Sequence, residues 1–185
     1  MKKTTILPMA SLLLLALWMA GCSPAPQPKE FKSEAGGFSV MTPMELKETK
    51  YPDAQGKEGK KNQRFFIFTG TRGNVGCYVS YTILSKSTPN PKIIDYSLDK
   101  ARDGMVKSAK GKLISETKIT WEGNPGREIL IDFNLDGQEM TLKMRAFLTK
   151  NHLYQIAWIS PKNKPNPVEM TAFLDSFRLL KKEQK

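Results

Sequence analysis

The chain has 185 residues, with 29 lysines and arginines against 18 aspartates and glutamates, a formal charge of +11, one histidine and two cysteines. Two cysteines and a lone histidine exclude a disulfide-dense scaffold and leave no CxxC or His-rich spacing for a redox or metal site. A chain with roughly 150 residues in its folded part buries about 70% of its unfolded surface, so neither a metal nor a disulfide is needed to hold it.

Lys2 and Lys3 open the chain, and an apolar run from Ile6 to Ala20, interrupted by Pro8, follows them. That run is shorter than the ~20 residues a permanent helical span requires. A positive start, an apolar middle and small residues at the exit are the parts of a secretory leader. Met19-Ala20-Gly21-Cys22 resembles the lipobox of bacterial lipoproteins, with Met19 where Leu is usual. The resemblance implies cleavage before Cys22 and acylation of its thiol. One acyl chain binds a bilayer only marginally, and the two or three of a lipoprotein anchor it stably. Ser23 resembles the export type of second residue, so in a cell with two membranes the periplasmic face of the outer membrane is the expected address. In Ser23-Pro24-Ala25-Pro26-Gln27-Pro28-Lys29 the prolines block helix and sheet alike, which gives an extended spacer of about 3 Å per residue.

The expected organisation is therefore a leader over residues 1–21, a lipidated proline-rich tether over 22–32, one α/β domain over 33–181 and a solvated tail over 182–185. "GGFSVMTP" (Gly36 to Pro43) reads as a first strand. "RFFIFTG" and "CYVSYTIL" are β-branched and aromatic runs joined across "GTRGNVG", a hairpin with glycines at the turn. That loop lacks the helix and the Lys-Ser/Thr of a phosphate loop. Cys77 alternates with Val79 and Tyr81 and is expected in the core as a small apolar side chain.

"DYSLDKARDGMVKSAKG" places Leu98, Ala101, Met105 and Ala109 on one helical face, with Ser97 as the expected start and Gly111 as the stop. "KLISETKITW", "REILIDF", "QEMTLKMRAFLT" and "LYQIAWIS" follow with connections short enough for antiparallel neighbours only. Alternation predicts a dry face of Leu113, Ile119, Trp121, Ile129, Ile131, Phe133, Met140, Leu142, Met144 and Ala146. Glu116, Lys118, Glu128, Asp132, Lys143 and Arg145 form the opposite, charged face. Lys118, Lys143 and Arg145 are the candidate binding residues there. In "KPNPVEMTAFLDSFRLL", Asn166, Pro167 and Glu169 make a capping-box start, and Met170, Phe173 and Leu174 a buried stripe. Ser176 to Leu180 reads as a short last strand.

This order of elements, with "GGFSVMTP", "GNPGREI", the Tyr of "NHLYQIAW" and "FLDSFRLL" as its cues, resembles the Mog1/PsbP-like α/β domain. The resemblance implies an α+β fold, an antiparallel sheet of six or seven strands packed with two main helices. It also implies a role in binding, docking or assembly, and supplies no shared catalytic residue. His152, expected as a solvated turn residue, and the stripe Asp95, Asp99 and Asp103 are the remaining candidates for chemistry. Neither comes with the partners a catalytic site needs, so no enzyme, cofactor or metal is expected. The secretory leader argues against nucleic acid as the partner of the positive charge. The expectation is a monomeric, lipid-anchored binding or assembly module of the bacterial cell envelope, partnered by an envelope protein or an anionic polymer. A small-ligand carrier is the alternative, and a hydrolase of envelope material stands behind it.

Overall fold

The computed structural model describes residues 27–49, 64–84 and 91–180. Cys22, the leader and the tail at 182–185 lie outside them. β1 (Lys29–Ser33) pairs antiparallel with β2 (Phe38–Thr42), Lys29 opposite Thr42 and Ser33 opposite Phe38. Residues 29–32, expected in the tether, are therefore part of a paired strand. Phe31 draws the segment into the fold: its ring lies 5.0 Å from that of Phe68 and 6.1 Å from that of Phe38. β3 (Lys47–Glu48) is a two-residue strand too short to leave a sequence signal.

β4 (Arg64–Arg72) and β5 (Val75–Ile83) form the expected hairpin, turned tightly at Gly73 (φ 57) and Asn74. Then come α1 (Pro91–Ala109), β6 (Lys112–Trp121), β7 (Asn124–Leu135), β8 (Gln138–Leu148), β9 (His152–Pro161), α2 (Pro167–Asp175) and β10 (Arg178–Leu179). Glu122 and Gly123, and again Asp136 and Gly137, all have positive φ, the two-residue turns that match the twist of antiparallel strands.

Seven strands form one antiparallel sheet in the order β3-β4-β5-β9-β8-β7-β6, and β1-β2-β10 form a second, small one. The fold is α+β. α1 packs on one face of the large sheet; the small sheet and α2 cover part of the other. Both faces are therefore apolar at the centre. Tyr78, Leu142, Met144 and Ala157 meet Leu98 and Ala101 of α1 on one side. Val79, Tyr81, Phe147, Ile156 and Trp158 meet Phe38, Phe173 and Phe177 on the other. Doubly buried strands read as continuous apolar runs, which is the character of "CYVSYTI".

The expected dry and charged faces hold for β7 and β8 and fail for β6. A β-bulge between Leu113 and Ser115 shifts the register, and one extra residue exchanges the faces of everything after it. Ile119 and Trp121 consequently point away from α1, and Trp121 packs on Phe147 and Phe177 at 5.0 and 5.1 Å. Glu116 and Lys118 instead face α1.

α1 begins at Pro91, six residues before the expected Ser97, since proline suits a first helical turn. Its end is a paired cap: Lys110 N–H donates to Lys107 O and Gly111 N–H to Val106 O, both at 3.1 Å, with Lys110 at φ 48. Lys110, rather than Gly111, takes the left-handed position. Gly111 is required for a different reason: a Cβ there would lie 2.6 Å from Ile131 Cγ2 and 2.8 Å from Asp132 O. α2 starts as expected, with Glu169 N–H donating to Asn166 Oδ1 at 3.2 Å. Among the described residues no helix is long and apolar enough to cross a membrane.

Candidate functional site

The bulge in β6 separates the candidate binding residues. Lys118 lies on the α1 face with its ammonium 3.5 Å from Asp95. Lys143 and Arg145 lie on the opposite face, and each reaches Glu128 at 2.8 Å. Arg145 also donates to Asp175 at the end of α2. Beside them Lys162 pairs with Asp132 at 2.6 Å. This part of the sheet is a surface of paired charges whose cations hold β7, β8 and α2 together.

The aspartate stripe of α1 is likewise consumed in packing. Asp95 accepts from Arg127; Asp99 and Asp103 accept from Arg102 at 3.4 and 2.9 Å. Arg102 and Arg127 converge on the two oxygens of Glu116, at 2.7 and 3.0 Å. No group of three metal-ligating side chains occurs among the described residues. Cys77 is 3% exposed, as expected of a core residue, and burial pushes its thiol up to about 11 despite a hydroxyl contact from Thr42 at 3.8 Å. A thiol so placed is a poor nucleophile.

A different region forms the candidate site. At the end of the molecule where β1 turns into β2, an open cleft of about 730 Å³ is lined by Lys32, Glu34, Asn124, Lys150, His152 and Tyr154, with Leu179 and Leu180 as its apolar part. Two turns frame it. In the first, Gly37 (φ 65) donates to Glu34 O at 3.2 Å and Gly36 N–H to Ser33 Oγ at 3.1 Å. A Cβ on Gly36 would stand 2.8 Å from the Phe38 and Tyr81 rings, so only glycine lets this turn settle on the core. In the second, Thr149 and His152 exchange hydrogen bonds, Thr149 N–H to His152 O at 2.8 Å and His152 N–H to Thr149 Oγ1 at 3.1 Å.

Tyr154 joins the two turns. Its hydroxyl donates to Gly36 O at 2.8 Å, and its ring packs 5.4 Å from those of His152 and Phe177. Burial, with a smaller contribution from Tyr81, pushes its phenol up to about 12, so it remains a neutral donor. His152 is half-buried against Tyr81 and Tyr154, at 6.0 and 5.4 Å, rather than solvated at a turn tip as its loop position suggests. Lys32 pairs with Glu34 at 2.7 Å on the rim, and Leu180 N–H donates to Gly37 O at 2.9 Å, which brings the C-terminal end to the same rim. The arrangement brings together the Lys32–Glu34 pair, the Lys150 ammonium, an imidazole and amides beside the apolar Leu179 and Leu180.

Sequence reasoning missed this cleft because its residues come from four separate segments. The signal was present in two of the packing cues: the glycine pair of "GGFSVMTP" and the tyrosine of "NHLYQIAW" are the two ends of the Tyr154–Gly36 hydrogen bond.

No protein-family model and no curated protein sequence matches the chain. Solved structures do. The solution structure of cyanobacterial PsbP (CyanoP) from Synechocystis sp. PCC 6803 superposes with a TM-score of 0.58 at 8% identity, covering 88% of this chain and 98% of that one. The domain has a PsbP-like fold. A crystal structure from Bacteroides thetaiotaomicron matches with a TM-score of 0.52 at 16% identity, over 86% of this chain and 51% of that longer one. At such identities the likeness is one of architecture, and the PsbP-like fold by itself names no ligand.

Proposed function

We propose that this chain is a lipoprotein of the bacterial cell envelope, anchored through acylated Cys22, whose PsbP-like domain docks an anionic envelope polymer or the acidic surface of an envelope protein in the cleft between Lys32, Lys150 and His152. The observation that carries the reading is the placement of that cleft relative to the tether. The proline-rich segment enters β1 at Lys29, and the cleft opens beyond its other end, where Lys32 and Glu34 line it. Four residues of strand rise separate Lys29 from Ser33, about 13 Å, and the spacer adds to that distance. A partner in the cleft is thus held clear of the bilayer.

Without Lys2 and Lys3 of the leader the remaining chain keeps 27 basic against 18 acidic residues, a charge of +9 that supports an anionic partner. The open cleft suits docking better than the enclosure of a small-ligand carrier. The proposal assigns the protein no reaction.

Two measurements test it. Cys22→Ala should move the protein from the membrane to the soluble fraction; full retention overturns the anchor. Binding of the full chain to an anionic glycan or teichoic-acid-type polymer should weaken steeply between low and high salt, because exposed charges are screened beyond about 8 Å at physiological ionic strength. Lys150→Glu should reduce that binding further. A response flat to both salt and Lys150→Glu overturns the cleft assignment.

A further inference from the structure

β6 is an edge of the large sheet: β7 pairs with one side of it, and among the described residues no strand pairs with the other. It is ten residues long and exposed over most of its length, with Leu113 at 36% and Ile114 at 46%. A long exposed edge offers unpaired N–H and C=O groups to another strand. Which groups face outward follows from the turn. Trp121 and Asn124 close a two-residue hairpin, so Trp121, Ile119 and Thr117 direct their backbone groups to β7. Glu116, Lys118 and Thr120 direct theirs outward.

We propose that this edge pairs with the same edge of a second copy, antiparallel and centred on Thr117. The sequence of the strand is complementary to itself in that register. Thr117 lies opposite Thr117, and Glu116 of each copy lies opposite Lys118 of the other. The outward hydrogen-bonding residues 116 and 118 are thereby matched, as an antiparallel ladder requires. Opposite charges placed directly across strands favour pairing, and like charges oppose it. Glu116 already accepts from Arg102 and Arg127 of its own chain, so the exposed Lys118 ammonium, 3.5 Å from its own Asp95, joins that cluster rather than meeting a free carboxylate. A shift of the register by two residues in either direction removes both charge pairs. Beyond the charged centre the bulge between Leu113 and Ser115 ends the regular ladder, with Leu113 and Trp121 on opposite faces of the sheet.

The symmetry fits a shared surface. An antiparallel edge-to-edge pair is related by a two-fold axis perpendicular to the sheet, which leaves both small sheets on one side of the joined sheet. Both chains therefore leave from Lys29 on that same side, where one bilayer can hold both tethers. The inference stands apart from the cleft and from the ligand proposed for it, and it replaces the monomer expected from the sequence with a symmetric pair.

The test uses the full chain in detergent. Thr117→Cys places two thiols across the two-fold axis, at the roughly 4.5–5.5 Å spacing of directly opposed residues, and diamide as oxidant should join them. Thr171→Cys, exposed on α2, is the control. Expected is a disulfide-linked dimer formed at least about tenfold faster at position 117, and sedimentation of the unmodified protein as a concentration-dependent dimer near about 100 µM. Lys118→Pro removes an outward donor while leaving the bonds to β7, since proline is tolerated at the open side of an edge strand. It should yield monomer with an unchanged melting temperature. If that variant fails to fold, Lys118→Glu, which sets glutamates opposite each other, should weaken dimerisation by the same readout. Equal crosslinking at 117 and 171, or a monomer at every concentration, overturns the proposal.

Discussion

Arg127 on β7 and Glu116 on β6 form an ion pair, Nε to Oε1 at 3.0 Å, beneath the helix that covers them. The arginine side chain is only 6% exposed and also donates to Asp95 of α1, while Glu116 shares its other oxygen with Arg102. One guanidinium thus fastens α1 to the two outer strands. Arg127→Met removes the shared donor but keeps much of the volume. Glu116 retains Arg102, so the loss should be on the order of 2–3 kcal/mol, below the cost of stranding a wholly buried charge. Chemical denaturation checks it, and Arg102→Met should cost less because its guanidinium is more exposed.

Acid should weaken the fold through the same kind of contact. Arg127 holds the Asp95 carboxyl below its ordinary value, chiefly by hydrogen bonding, and Lys162 does the same for Asp132. At Glu128 burial is the largest single influence and acts upward, yet the hydrogen bonds and charges of Lys143 and Arg145 together outweigh it and leave the carboxyl lowered. All three bind protons more weakly folded than unfolded. Their contribution is therefore complete above the unfolded values near about 4 and is lost as pH falls through the folded ones. Thermal melting points should be level at pH about 6 and fall steadily toward pH about 3.

Two glycines should respond oppositely to alanine. Gly104 sits in the middle of α1 with nothing within 4 Å of a Cβ built on it, so Gly104→Ala should stabilise by roughly 0.5–1 kcal/mol. Gly111 abuts Ile131 and the Asp132 carbonyl, so Gly111→Ala should destabilise by about 1–3 kcal/mol through overpacking. Paired melting curves report both signs.

Cys77 should be inert in the native protein. Its thiol is buried and held near 11, so iodoacetamide at pH about 8 should label it only after denaturant is added, as mass spectrometry would record. Because folding holds both the Cys77 thiol and the Tyr154 phenol in the neutral form, the unfolded chain loses those protons first. Stability should decline as pH rises above about 9.

The elements of this fold were legible where one interaction dominates a segment. α2 announced itself through Asn166, Pro167 and Glu169, and the β6–β7 and β7–β8 turns through Glu122-Gly123 and Asp136-Gly137. β1 was hidden because the prolines just before it, Pro24, Pro26 and Pro28, read as a tether and its only strand-like credential, Phe31, depends on rings contributed by Phe38 and Phe68. The face assignment of Lys118 failed because a bulge has no marker in "KLISETKITW"; what selects it is the simultaneous need to place Trp121 against Phe147 and Glu116 against Arg127. His152 could not be placed from its loop, since Tyr81 and Tyr154, which pack against it, belong to strands brought together only by the sheet.

β1 runs from Lys29 to the cleft and is paired with β2 along all five of its residues. Under the proposed anchoring and docking, a pull between Lys29 and a partner held by Lys150 and His152 of the same cleft would act lengthwise on that ladder, in shear. Its bonds then carry the load together instead of opening one after another like a zipper. The orientation of this short strand would make the junction with the proposed tether mechanically strong in the direction in which an anchored adaptor is stretched.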